Sequence, residues 1–569
     1  MCAGVSGGRG RDNSPMATPC NIAAALAPLA ARQPDGIAMR VPGRDGRYRQ
    51  ALTYAGLDRR SDAIAAGLAT HGIVRGTRTV VMVRPTPAFF LLMYALFKAG
   101  AVPVLVDPGI DKRALRECLD EADSEAFIGV PLAMLARKLL GWATATRVAI
   151  TTGARPWFAD ATLAQVEAAG TGAGPQLQAT DGDDMATILF TSGSTGVPKG
   201  VVYRHRHFVA QVEMLAGAFG IAPGGVDLPT FPPFALFDPA LGLTSVIPDM
   251  DPTRPAQADP RKLHRAIARF GVTQLFGSPA LMQVLAEHGE PLPTLRRVTS
   301  AGAPVPPAVV ARMRELLPAD ARFWTPYGAT ECLPVAVIEG AELQDTRGAT
   351  ESGAGTCVGR PVAPNEVRII AITDGPIADW SGVRELPPGE VGEITVAGPT
   401  VTDSYFNRPR ETARAKIRET LADGSERIVH RMGDLGWFDD TGRLWFCGRK
   451  GQRVETATGP LYTEQVEPVF AAHPAVRRAA LVGIGDKGSQ RPIVVLELRE
   501  RRTQQNRLLG ELRAIAARHP HTAAIDTFLF HPRFPVDIRH NAKINRESLA
   551  AWAAKRLPSP ESRVPGPAP

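Results

Sequence analysis

Between residues 21 and 150 the apolar positions switch repeatedly between two periods. Residues 61–71 repeat at helical spacing, 79–83 form a short run rich in β-branched side chains, 89–98 are helical again, and 105–107 close a strand. Strands and helices in alternation predict helices flanking a largely parallel sheet. The signal returns at 185–190, 272–276 and 297–300. Between 358 and 402 it gives way to short strands broken by Pro and Gly, at 367–372 and 392–396, which predicts a β-rich subdomain. Residues 439–442 read as a turn between the apolar runs 435–438 and 444–446. Past Gly448 the order is strand 479–484, strand 493–497, helix 508–518, strand 527–531 and helix 547–556, a compact α+β unit.

The expected fold class is therefore α/β. It comprises a large N-terminal domain over 16–447, made of α/β layers plus a β-rich subdomain, and a small α+β C-terminal domain over 448–553. At 569 residues the chain exceeds what one hydrophobic core supports. Residues 1–15 hold four glycines, two arginines and no apolar run, and 558–569 hold five prolines, so 1–15 and 554–569 are expected to be disordered. The first fifteen residues lack the apolar centre of a signal peptide.

The net charge of +8 comes from Lys and Arg interspersed with Asp and Glu. That pattern describes a solvated surface with a mild attraction for anionic nucleotides, and no nucleic-acid partner is expected. Six cysteines (Cys2, Cys20, Cys118, Cys332, Cys357, Cys447) lie far apart, without a C-x-x-C pair or a histidine at ligand spacing. They argue for a reducing, cytoplasmic location and against zinc. The most apolar stretch, 87–106, contains Lys98, Gly100 and Pro103, and reads as a buried helix followed by a strand rather than a membrane span.

The richest chemistry lies at 188–201, where an apolar run feeds Thr191, Ser192, Gly193, Ser194, Thr195 and Gly196 and then Lys199. Glycines let the backbone curl so that several N–H groups face one point, and hydroxyls add donors, which makes a phosphate cradle. Lys199 adds a point charge for the outer phosphates. The common nucleotide P-loop needs Gly-Lys-Ser/Thr, whereas here Pro198 precedes Lys199 and Gly200 follows it. His205 and His207 follow the loop and are expected to support the fold. A G-x-G-x-x-G string at 483–488 is rejected as a dinucleotide site, because Pro492 and a strand follow where a helix should open.

Downstream, Tyr327 offers an aromatic face for a purine, Thr330 a hydroxyl for phosphate, and Glu331 a carboxylate for Mg²⁺. Asp434, beside Gly433, suits two ribose hydroxyls, and Arg449 adds a sugar or phosphate contact. Lys543 lies between the last expected strand and the last helix.

In this order the segments resemble the adenylate-forming superfamily of acyl-CoA synthetases, peptide-synthetase adenylation domains and luciferases, from about residue 21 to residue 552. The resemblance implies a small C-terminal domain that rotates between half-reactions, with ATP and Mg²⁺ as cofactors. It implies that Ala301, Gly302, Ala303, Pro304 and Tyr327 hold adenine, Asp434 and Arg449 the ribose, and Glu331 the metal. Lys543 would bridge the substrate carboxylate and the α-phosphate, so Lys199, Thr330, Glu331 and Lys543 form the expected catalytic set.

Three positions depart from the family pattern. Ala542 precedes Lys543 where glycine is usual, Gly451 (after Lys450) stands at the usual hinge residue, and Ala235 aligns with a histidine common at the acyl pocket. The runs 539–544 and 448–456 look most like the β-lactone-forming synthetases of bacterial long-chain olefin biosynthesis. That subgroup implies a long-chain 2-alkyl-3-hydroxy acid as substrate, AMP and pyrophosphate as products, and other enzymes of the olefin pathway as partners. A long-chain acyl-CoA synthetase or fatty acyl-AMP ligase is the alternative, and a nucleotide-binding scaffold without turnover is a third reading.

Overall fold

The computed structural model describes residues 19–106, 110–191, 198–500, 505–536 and 544–557. The expected disorder of 1–15, the tail beyond 557, Ser192 to Gly196 of the phosphate loop, and Lys543 lie outside the described residues.

Two sheets organise the N-terminal part. The first has seven strands, running from Ala161–Thr162 through Val148–Thr151, Ala126–Gly129, Arg78–Met82, Val102–Val106 and Met185–Thr191 to Lys199–Arg204. All neighbours are parallel except the last pair, a hairpin in which Thr191 faces Lys199. The second has fourteen strands. Its parallel part includes Val226–Pro229, Gln274–Gly277, Arg297–Ser300 and Arg322–Ala329. An antiparallel extension follows, through Cys332–Glu339, Thr356–Pro361, Leu444–Arg449, Glu426–Phe438 and Gly392–Ala397 to Glu366–Ile370. This extension is the β-rich region anticipated from the Pro/Gly punctuation, and it is continuous with the parallel sheet.

The helix Pro87–Lys98 starts with Pro at its first turn, where a missing N–H costs nothing, and is buried from Phe89 onward. Its last residue, Lys98, is 3% exposed. The ammonium donates to Asp58 Oδ1 (2.6 Å), Asp62 Oδ1 (2.7 Å) and the Asp58 carbonyl (2.9 Å). Asp58 and Asp62 are four apart on the helix Tyr54–Thr70, so both carboxylates face the same way and together neutralise one buried cation. Among the described residues no helix is long and apolar enough to cross a membrane.

Gly448 and Arg449 still pair within the large sheet. Beyond them come the small hairpin Val454–Thr456/Gly459–Leu461, the helix Thr463–Ala471, the strands Val476–Ile484, Arg491–Leu498 and Phe528–Phe530, and the helices Gln505–Ala516 and Arg546–Ala554. The sequence reading lacks the hairpin and the first helix. Pro468 sits inside that helix, which masks its periodicity. The 483–488 string is a turn: Gly485 and Gly488 have φ of 101° and 87°, between antiparallel strands.

Lys98→Met should destabilise the protein by about 3 kcal/mol, since it strands two partly buried carboxylates that the cation now pairs. Urea unfolding of the variant checks this. A loss below about 1 kcal/mol would place the triad with ordinary surface ion pairs.

Candidate active site

The site forms where the parallel and antiparallel halves of the large sheet meet. In open parallel sheets ligands bind beyond the carboxyl ends of the strands, and Ala301 and Gly302 leave such an end after Ser300. Gly302 has φ of 99°, a conformation side chains resist, so this turn requires glycine. Thr330 and Glu331 occupy the turn after Ala329.

Asp434 and Arg449 are directly opposite in register on neighbouring antiparallel strands. The Tyr327 hydroxyl donates to Asp434 Oδ2 at 2.7 Å, and Arg449 Nη1 lies 3.0 Å from Oδ1. The Arg449 contact is an ion pair rather than an aligned hydrogen bond, which leaves Oδ1 free of a hydrogen-bond donor. Burial pushes the Asp434 carboxyl above its usual range, against the pull of the Arg449 charge and the Tyr327 hydroxyl. The Asp434 charge in turn holds Arg449 further protonated.

Glu331 is fixed at both ends. The Tyr405 hydroxyl donates to Glu331 Oε1 at 2.6 Å, and the Glu331 carbonyl accepts from Thr402 N (2.9 Å) and Oγ1 (3.0 Å). Lys199 Nζ stands 4.9 Å from the centre of the Tyr405 ring, a cation–π distance. The Thr330 carbonyl accepts from the Tyr203 hydroxyl. Behind Glu331, the buried Lys416 donates to the Thr402 carbonyl and hydroxyl, and burial lowers its ammonium to about 8. His430 is buried with Nδ1 3.1 Å from the Ala415 carbonyl. The carbonyl can only accept, so Nδ1 carries the proton. Burial first, and the Lys416 charge second, keep this imidazole neutral.

Lys450 donates to both Glu393 oxygens at 2.9 Å and to the Thr373 carbonyl at 2.9 Å. Arg431 grips the same carboxylate at 2.6 Å. The residue before the usual hinge position is thus tied to the large sheet.

One cavity of about 950 Å³ joins these groups: Lys199, Ala301, Gly302, Tyr327, Thr330, Glu331 and Arg449 all line it. Phe231, Phe234, Phe237 and Phe276 give it an apolar wall, and Asp227, Gln274 and Arg297 a polar patch. Gln274 faces Asp227 and Arg297 in register across three neighbouring strands. Asp238 is buried and Asp227, half-buried on the cavity wall, lies close enough to share a proton with it, so desolvation holds the pair above the ordinary carboxylate range. Ser245 donates to Asp238.

Asp434 lies behind Tyr327 and Arg449 rather than on the cavity wall, and Ala303 and Pro304 are also off it. Ala235 is fully buried in the one-turn helix Pro232–Leu236, and the phenylalanines around it line the cavity instead. His205 and His207 are fully buried. Desolvation lowers them to about 4 and about 3, and His207 Nδ1 accepts from Arg204 N to cap the following helix. Sequence reading missed Tyr405, Lys416, His430 and the Asp227–Asp238 pair. No local pattern marks them, since Tyr405 is 74 positions from the carboxylate it holds.

Residues 27–406 match the family described as AMP-binding enzyme. The chain is 69% identical to an olefin beta-lactone synthetase of Xanthomonas campestris pv. campestris over 96% of this chain and 99% of that one. It is also 69% identical to an olefin beta-lactone synthetase of Stenotrophomonas maltophilia, over 95% and 99%. Among solved structures, the amide bond synthetase McbA from Marinactinospora thermotolerans superposes with a TM-score of 0.74 at 25% identity, over 94% of this chain and 99% of that one.

The buried acid pair generates a pH dependence. Its folded-state titration lies above the unfolded value, so the stability it contributes is complete below the ordinary carboxylate range and declines as pH rises towards neutrality. Asp227→Asn should flatten that decline. Urea midpoints measured from about pH 5 to about pH 8 for both proteins check it, and parallel slopes would remove the shared proton.

Proposed function

Because the chain belongs to the AMP-binding enzyme family, we propose that this cavity adenylates a long-chain 2-alkyl-3-hydroxy acid and closes it to a β-lactone, releasing pyrophosphate and then AMP. The near-full-length identity to two olefin beta-lactone synthetases carries this reading. The cavity supports it, with charged groups at one end and an aromatic wall suited to alkyl chains.

Tyr327 and the turn Ala301 to Pro304 would hold adenine. Asp434, with Oδ1 free of a hydrogen-bond donor, and Arg449 would take the ribose hydroxyls. Thr191, Ser192, Gly193, Ser194, Thr195, Gly196 and Lys199 would cradle the phosphates. Mg²⁺ fits at Glu331, whose Oε1 is oriented by Tyr405, because this ion takes one or two carboxylates together with phosphate oxygens and water. When bound it would neutralise phosphate charge.

The substrate carboxylate attacks the α-phosphorus and expels pyrophosphate, with Lys199 and Lys543 stabilising the developing charge. The 3-hydroxyl oxygen then attacks the acyl carbonyl, losing its proton as AMP departs. An internal nucleophile avoids the cost of ordering a second substrate, up to about 7–11 kcal/mol in unstrained cases, of which four-ring strain takes a large part. Rotation of a C-terminal domain over 448–553 between the two steps, a cytoplasmic location and association with other enzymes of an olefin pathway complete the reading.

The acid with MgATP should yield a β-lactone, AMP and pyrophosphate without coenzyme A, and the acid lacking the 3-hydroxyl should stall as a tightly held adenylate. Mass spectrometry of products, with coenzyme A omitted and then added, decides the matter. A thioester formed from the plain fatty acid as fast as the hydroxy acid is consumed would favour an acyl-CoA synthetase.

Lys543→Ala should lower pyrophosphate release by ~10²–10³-fold at every magnesium concentration. Glu331→Gln should instead be partly rescued by added magnesium, because only it loses a metal ligand. Equal behaviour of the two variants in a magnesium titration would remove the metal role from Glu331.

A further inference from the structure

Away from the cavity, two histidines and a glutamate converge from different helices. His264 lies on the helix Pro260–Phe270, and His288 is the last residue of the helix Pro279–His288. Gly289 then reverses the chain with φ of 76°, which returns Glu290 towards both rings. The imidazoles meet edge to face, with centroids 5.3 Å apart. His264 Nδ1 is 3.5 Å from Glu290 Oε2, and His288 Nε2 is 3.3 Å from Glu290 Oε1. One ligand atom from each residue falls within 4.8 Å of the other two.

These separations are long for N–H···O bonds, which cluster near 2.9 Å, and His288 Nε2 is enclosed without a hydrogen-bond partner. Each imidazole faces its own oxygen of the one carboxylate, at separations near the roughly 3.3–3.5 Å between neighbouring ligands of a tetrahedral ion with bonds of about 2.0–2.2 Å. Arg312, whose Nη2 approaches Gly289, donates through Nη1 to Glu315 at 2.7 Å. The Glu290 side chain is 60% exposed, so the site opens to solvent and a water could complete the shell. The histidines are 24 positions apart, beyond the spacing of any linear metal motif.

We propose that His264, His288 and Glu290 bind a zinc-class divalent cation, independently of the magnesium expected with ATP. Two imidazoles and one carboxylate suit Zn²⁺ or Co²⁺, whereas Mg²⁺ favours an all-oxygen octahedron. The strand Gln274–Gly277 connects the two helices along the chain, and its Gln274 and Phe276 line the cavity. Occupancy would therefore brace the acyl wall without touching the nucleotide end.

The test titrates Co²⁺ into the full chain after chelator treatment. Wild type should develop the intense visible absorption of four-coordinate Co²⁺, saturating at one equivalent and displaced by Zn²⁺. His264→Ala, His288→Ala and the double variant should each lose that band and that equivalent, and Zn²⁺ should raise the melting temperature of wild type but not of the double variant. His264→Gln, which keeps the side chain polar and of similar size, serves if an alanine variant does not fold. The same stoichiometry and spectrum in wild type and variants would overturn the site, as would saturation only at millimolar metal.

Discussion

The buried Asp434 carboxylate is the constraint on which the site depends. At 3% exposure it would be neutral without a partner, and Arg449 directly opposite supplies the charge. Slipping one strand past the other by one residue would put the two side chains on opposite faces, so the pair also fixes register. The strand of Asp434 forms a second buried pair with its other neighbour through Arg431 and Glu393, at 2% and 1% side-chain exposure. Breaking such a pair by removing one partner typically costs about 3–5 kcal/mol, because the other charge stays buried. Polar geometry at the mouth of the cavity is therefore tied to the stability of the antiparallel extension.

That coupling explains how flexible side chains acquire defined positions. Tyr327 is held by Asp434, Glu331 by Tyr405 and Thr402, and Thr330 by Tyr203. Each holder lies on a different segment, so the reactive groups are oriented by the assembled sheets rather than by their own loops. Preorganised groups of this kind cost no rearrangement when charge develops. Behind Glu331, Lys416 keeps its charge at neutral pH although burial lowers it to about 8, and the buried His430 beside it stays neutral.

The sequence displayed whatever is local. The strand at 297–300 was legible from its residues alone, and the turn at 439–442 from its composition. The motif residues Tyr327, Thr330, Glu331 and Arg449 were legible because glycine and a few polar types crowd into short spans. The helix Thr463–Ala471 was hidden by its internal Pro468. Tyr405, the Asp227–Asp238 pair and the His264–His288 cluster were hidden for another reason: each acquires its partner only through sheet order or helix packing, which no periodicity encodes.

The same distinction separates the two ends of the cavity. The charged end is built from motif residues at strand termini. The aromatic end is built from Phe231, Phe234, Phe237 and Phe276, with Asp227, Gln274 and Arg297 in one register row two residues back along the strands from Pro229, Phe276 and Thr299. At about 3.3 Å per residue that row lies roughly 6–7 Å below the next ring of side chains. Such a polar floor opposes an alkyl chain, because methylene groups there would desolvate a carboxyl pair without satisfying it. In the proposed reaction it would limit how far chains extend in this direction, and longer ones would run along the aromatic wall. If lactone closure is the second step, that wall also has to fold the chain so that the 3-hydroxyl reaches the carbonyl. Selectivity would then follow from the shape of the aromatic wall and the height of the polar row, while activation is left to the charged groups at the other end.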